Sequence, residues 1–309
     1  MDKCLLNVYN EGQEEGKTLE KKEKRRFGDR RDGKLLRDLD SMHFIMPIIF
    51  PNRCDNEAYL SERIDLENIN AYLAKKNADS PDFKYTLFHV ILTAMAKTLY
   101  LRPKMNRFIC NGNMYQRNEV SAAFTIKKTF EDESDEALAF IHTKPTDTIE
   151  TVHDFIRDQV SKCRGTEGDA ATDNMDFFNK MPRFLSKWLV HVVMWLEQRG
   201  KAPKSLNEGD PYYSSCVLSN VGSIKLKCGY HHLTNWGTTS LFCLIGEKKM
   251  TPRFDENGNA EMRETVDLGL TIDERLADGY YYSKTLRLIK HLLQHPELLE
   301  LPLEEKVEY

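Results

Sequence analysis

Apolar and polar positions alternate with a period close to two along Glu57-Ala58-Tyr59-Leu60-Ser61-Glu62-Arg63-Ile64-Asp65, which predicts a half-buried strand. The period then lengthens. Leu66, Ile69, Tyr72 and Leu73 recur at helical spacing, so a helix over 66–76 follows, with Asp65 as its N-cap. Residues 86–101 are strongly apolar, with Ala94, Met95 and Ala96 inside the run, and predict a buried helix that Pro103 stops. Phe108-Ile109-Cys110 and Met114-Tyr115 flank an Asn111-Gly112 pair, the signature of a hairpin turn. Strands over 120–127 and 137–142 enclose an acidic stretch, 131–136, that reads as a solvated turn. An amphipathic helix over 147–163 and an apolar helical region over 175–199, broken near Pro182, come next. Strands over 214–219, 239–245 and 265–272 precede a closing helix over 279–293, with Pro296 after it. The sum is a mixed α/β (α+β) domain with helices packed on a central sheet.

Composition narrows the setting. The chain has 309 residues, 40% of them hydrophobic and 30% charged, enough for one large core and ordinary for a globular protein. A net charge of -4 gives no reason to expect a nucleic-acid partner. The seven cysteines are scattered and form no Cys-x-x-Cys pair, which fits reduced thiols better than a disulfide framework or a metal site. No apolar run follows a basic start, and the longest apolar stretch, 185–196, is interrupted by Lys187 and His191. The expectation is a cytoplasmic protein without a membrane partner. Residues 1–34 read as a charged N-terminal arm, 35–300 as the domain and 301–309 as a tail.

Two segments carry a resemblance. Leu218-Ser219-Asn220-Val221-Gly222, followed by Leu233-Thr234-Asn235 and the apolar run 241–246, is similar to the transacylase component of 2-oxoacid dehydrogenase complexes. In that component a strand ends in Ser-Asn/Ser-Leu-Gly and leads through an Asn-bearing turn to a strand ending in glycine. Asp273-Glu274-Arg275-Leu276-Ala277-Asp278-Gly279 resembles the family's Asp-His-Arg-x-x-Asp-Gly signature everywhere except at the histidine, which is Glu274. With the order of elements, the resemblance to the chloramphenicol acetyltransferase/dihydrolipoyl acyltransferase family covers roughly residues 30–300. It implies a chloramphenicol acetyltransferase-like two-layer sandwich and a homotrimer with substrate channels between subunits. It also implies coenzyme A as acyl carrier and a small-molecule acyl acceptor. No Asp-Lys-Ala lipoyl-attachment segment precedes the domain. Residues 173–210 form an insertion relative to the family.

Carried onto matching positions, the resemblance makes Ser219 the hydroxyl that steadies the tetrahedral oxyanion, although a serine there also suits a strand cap. It makes Asp278 a structural ion-pair partner of Arg30, Arg31 or Arg37. Asn220 and Asn235 stand at substrate-binding positions, and Gly279 eases the turn into the last helix. No metal site is implied, and no residue is assigned to hold coenzyme A. Glu274 is the departure. Moving a proton from a thiol to imidazole costs about 2.7 kcal/mol at ordinary pKa values, and to a glutamate about 5.7 kcal/mol. The difference is about 100-fold in rate. Burial in a channel restores a glutamate base; otherwise the chain is a pseudoenzyme, a binding or scaffolding trimer. His231 and His232 are alternative imidazoles, but on the wrong segment to replace the lost group directly. His89 reads as a hydrogen-bonded core residue. Trp188, Leu189, Val192, Val193, Trp195 and Leu196 give the insertion an apolar face, suited to core or subunit packing or to covering the channel, with membrane contact the weakest alternative.

Overall fold

The computed structural model describes residues 25–127, 136–164, 181–202, 210–254 and 256–309. In chain order its elements are β1 (Gly33–Leu35), α1 (Ser41–Ile49), β2 (Glu57–Asp65), α2 (Glu67–Lys76), α3 (Leu87–Leu101), β3 (Arg107–Cys110), β4 (Asn113–Arg117), β5 (Val120–Lys127), β6 (Glu136–Thr143), α4 (Ile149–Arg164), α5 (Arg183–Gln198), β7 (Cys216–Asn220), β8 (Leu241–Phe254), β9 (Ala260–Asp273) and α6 (Gly279–Gln294). Six strands form one mixed sheet in the order β2-β9-β8-β7-β5-β6, with β5, β7 and β8 parallel. A second sheet, β1-β4-β3, is antiparallel.

The period-two patterning gives the large sheet two unlike faces. Leu218, Leu241, Cys243, Ile245, Leu268 and Leu270 point toward α2, α3, α4 and α6, and close the main core with them. A fully buried leucine or isoleucine here contributes about 1.5–3 kcal/mol, so this face dominates stability. Val217, Phe242, Leu244 and Ala123 point the other way, where the covering comes from the 221–237 segment through Val221, Cys228 and Leu233. That thinner face holds the candidate chemistry.

The expected elements at 57–65, 86–101, 120–127, 147–163 and 279–293 form within a residue or two of those bounds. Asn111 and Gly112 both take positive φ, 47° and 70°, as a two-residue hairpin turn requires. Leu66 rather than Asp65 occupies the cap of α2, yet the Asp65 carboxylate still accepts the Glu67 N–H at 2.9 Å. The helix expected over 175–199 starts after Pro182; 175–180, like the acidic 131–135, lie outside the described residues. Two features exceed expectation. β8 and β9 run on to Phe254 and from Ala260 as a two-stranded ribbon, and α1 forms on the Asp40 carboxylate, which accepts the Met42 and His43 N–H groups at 3.1 Å. Of the arm, Arg30 is buried and β1 pairs with β4; of the tail, Leu303 is fully buried and its N–H bonds to Asp147.

His89 is the buried residue expected, with a consequence for pH. Its Nδ1 accepts the Thr86 N–H at 3.1 Å, so the proton sits on Nε2, which is buried without a partner. Burial, and then the neighbouring His153, push its pKa down to about 3 from 6.5. The folded state thus holds a neutral imidazole that the unfolded chain protonates below about pH 6.5. Its contribution to stability is whole above that pH and fades as pH falls toward 3, at up to about 1.4 kcal/mol per unit. His89→Gln is expected to flatten the loss of urea stability between pH 6.5 and 4.5.

Candidate functional site

Ser219 lies near the end of β7 on the thinly covered face, two residues after Val217, and its Oγ is 3.3 Å from Thr125 Oγ1 on β5. Asn220 ends the strand; its carbonyl accepts the Ser223 hydroxyl at 2.7 Å. From there the chain must travel the length of the sheet to begin the parallel β8. It lies flat because Gly222, Gly246 and Gly269 leave room: a Cβ on Gly246 would strike Cys228, and one on Gly269 would strike the Gly229 carbonyl. At the far end the Leu233 N–H is accepted by the Glu57 carboxylate of β2. Asn235 Oδ1 accepts the Arg53 N–H at 2.8 Å, and its Nδ2 lies 3.1 Å from Cys54 Sγ. Asn235 therefore braces the 53–55 turn.

The Asp-Glu-Arg signature follows β9 at that same far end. Asp273 and Arg275 are almost fully buried and joined by two bonds, Nε to Oδ1 at 2.7 Å and Nη2 to Oδ2 at 2.6 Å. Arg275 Nη1 also donates to the Phe50 carbonyl at 2.5 Å, and Arg53 Nε stands 3.9 Å from Asp273 Oδ2. Arg53 is buried, which pushes its guanidinium down; its Nη groups donate to the carbonyls of Thr234, Gly237 and Ile109. This cluster ties the signature, the 234–237 loop and the 53–55 turn together. Glu274 sits on top of it, exposed, with its N–H donated to the Asn56 carbonyl at 3.0 Å.

Ser219 and Glu274 are not brought together within one chain. Ser219 pairs with Leu244, which pairs with Gly269, and Glu274 lies five residues further along. That separation is on the order of 20 Å, two strands across and five residues along. Asp278 is also placed otherwise than expected. It caps α6, accepting the Tyr281 N–H at 2.8 Å, and that bond holds its carboxyl below the usual range. Arg30 turns instead to Asp32 at 2.9 Å and Glu197 at 2.5 Å, and Arg37 to Asp29 at 3.3 Å. The buried ion pair of the signature is Asp273–Arg275. Gly279 needs no special backbone, and a Cβ there meets nothing.

Residues 195–301 match the family model of the 2-oxoacid dehydrogenases acyltransferase (catalytic domain). That segment holds the end of α5 and everything from β7 to α6. Solved acyltransferases share the fold over most of their length. A probable dihydrolipoamide acetyltransferase from Listeria monocytogenes superimposes with a TM-score of 0.55 at 14% identity, covering 85% of this chain and 95% of that one. The cubic core of the pyruvate dehydrogenase multienzyme complex gives 0.56 at 14% identity, covering 87% and 95%. A chloramphenicol acetyltransferase gives 0.51 at 13% identity, covering 84% and 99%. The two-layer acyltransferase fold expected from the sequence is the fold observed. A search of curated proteins gave no match.

The 173–210 stretch contributes α5, fixed at its C-terminal end by Arg30, which donates to the Glu197 carboxylate and, at 2.6 Å, to the Glu197 carbonyl. Val193 is buried, whereas Trp188 and Trp195 are 62% and 52% exposed, so within one chain its apolar face is only half used. Among the described residues no helix is long and apolar enough to cross a membrane, and no His, Cys, Asp and Glu cluster suits a metal ion. Sequence reasoning missed Arg53 and Thr125, because each meets its partners only through pairing distant in sequence.

Proposed function

We propose that the chain is an acyltransferase that moves an acyl group between coenzyme A and a small thiol, hydroxyl or amine acceptor, working as a homotrimer. Ser219 is the oxyanion donor, and Glu274 stands where relatives keep their base. The observation that carries this reading is the placement of Ser219 on the thinly covered sheet face, next to Thr125 and beside the loop that leads to Asn235. A hydroxyl at the end of a central strand, unburied by the helices, suits a substrate that enters from outside the chain. The distance between Ser219 and Glu274 supports a site shared by two copies, since one copy cannot use both on one carbonyl. The apolar surface of α1 beside the signature, with Phe44, Ile48 and Ile49 exposed, supplies area for such a contact. The relative that forms a cubic multienzyme core supports assembly of copies.

A second reading keeps the trimer and drops the chemistry. Glu274 is exposed, and a carboxylate becomes a serviceable base for a thiol only where water is excluded. The two readings part on one measurement: release of coenzyme A thiol from acetyl-coenzyme A with mixed thiol and amine acceptors. Turnover that falls about 10²–10³-fold in Ser219→Ala, the loss typical of a missing oxyanion donor, supports transfer. A chain that releases no thiol yet gains melting temperature with coenzyme A is a binding protein.

A further inference from the structure

Resting on the acyltransferase reading, we propose that His231 is the general base, acting with Ser219 of the same chain. The family signature has lost its imidazole, but the fold returns one to the working face from another segment. The 221–237 loop crosses that face, and His231 stacks parallel on Phe242, with ring centroids 4.1 Å apart and planes 9° apart. The His232 ring also stacks on His231, with centroids 4.7 Å and planes 22° apart. Phe242 pairs with Val217, two residues before Ser219, and Val217, Phe242 and Ser219 share one face of the sheet. His231 thus lies on the order of 10 Å from Ser219, one strand across and two residues along. Glu274 of the same chain is about twice as far.

That interval suits the reaction. A base nitrogen bonded to an attacking atom, that atom poised at a thioester carbonyl, and the carbonyl oxygen bonded to a serine hydroxyl together span roughly 9 Å. The tautomer suits it as well. His231 Nδ1 lies 2.8 Å from the His232 carbonyl oxygen, which only accepts, so Nδ1 carries the proton. The neutral ring then presents an unprotonated Nε2, and among the described residues no group bonds to it. The His232 backbone therefore fixes the tautomer that a base requires. The rings against His231 come from β8 and from its own loop, Phe242 and His232, and among the described residues no salt bridge reaches it. Nε2 takes the proton of the acceptor thiol, hydroxyl or amine as that atom attacks the thioester carbon. Ser219 donates to the oxyanion, the carbon–sulfur bond breaks, and the proton passes from Nε2 to the departing coenzyme A sulfur. Acyl-coenzyme A and acceptor become acylated acceptor and free coenzyme A, with no other reactant.

The test uses the full-length oligomer, with acetyl-coenzyme A and the best acceptor found for the parent. His231→Gln and His231→Phe, the second keeping the stack on Phe242, are expected to lower kcat/KM at least 100-fold. The acid limb of the pH profile should vanish, and added imidazole should restore part of the rate in His231→Ala. Oligomers mixed from Ser219→Ala and His231→Phe chains should stay as slow as either variant, because no chain then holds both groups. The proposal is overturned if His231→Phe turns over within threefold of the parent with an unchanged pH profile, or if the mixed oligomers recover activity. In the first case the acyltransferase reading stands and the base lies elsewhere, with Glu274→Gln the variant expected to be inactive; in the second His231 serves Ser219 of a neighbouring copy. A parent chain that releases no thiol overturns both.

Discussion

Asp273→Asn is expected to lose about 3–5 kcal/mol of stability, the cost of removing one partner from a buried ion pair. The carboxylate is fully buried and takes two bonds from the guanidinium of Arg275, itself 1% exposed, with Arg53 Nε 3.9 Å away. Asparagine keeps the volume but leaves two buried guanidinium groups facing each other without an anion. Arg53 retains its carbonyl acceptors and Arg275 the Phe50 carbonyl, so hydrogen bonding partly survives and charge balance does not. The loss should appear as a lower urea midpoint at an unchanged slope. A double variant, Asp273→Leu with Arg275→Met, should recover only part of it, because it removes one unpaired guanidinium but leaves buried Arg53 without its anion. A single variant within 1 kcal/mol of the parent would contradict the isolation of this cluster from water. Since Arg53 also holds the Thr234 and Gly237 carbonyls, the single variant should loosen the loop that carries His231 and lose activity as well.

Sequence reading succeeded where neighbours along the chain decide the outcome. The alternation at 57–65, the apolar run before Pro103 and the Asn111-Gly112 pair each specify their element through local sterics and burial, and each forms. The signature and the Ser219 segment were also legible, being short and contiguous. The β8–β9 ribbon was not, because Glu247-Lys248-Lys249 and Arg253 are too polar to resemble a strand and are paired mainly with each other's hairpin partners. Asp278 was misread for a related reason. A carboxylate at a helix start has N–H groups within reach, and these outcompete a guanidinium that must be brought in from the first forty residues. From the sequence alone His231 is an imidazole on the wrong segment. What placed it beside the Ser219 face is the path of the loop, and that path depends on small residues in strands that follow it in sequence.

Gly269→Ala should therefore damage function more than its one added methyl suggests. A Cβ at this position falls on the Gly229 carbonyl oxygen, with Cys228 Sγ at 3.1 Å. β9 cannot yield, since Gly269 is paired with Ser61 on one side and Leu244 on the other. The loop must rise, against bonds that hold it at both ends: Glu247 N–H to the Leu226 carbonyl at 2.9 Å, and Leu233 N–H to Glu57. Overpacking of this kind costs about 1–3 kcal/mol. The larger effect falls on His231, two residues from the displaced carbonyl. A shift near 1 Å moves its ring off Phe242 and its Nε2 out of line, which lowers kcat by about 100-fold. Gly279→Ala is the matched control: its Cβ meets nothing and its φ is not positive, so stability should hold or rise by about 0.4–1 kcal/mol. Folded Gly269→Ala protein with parental turnover would show that the loop's height above the sheet does not matter, and would remove the support that the glycine track lends to a base at His231.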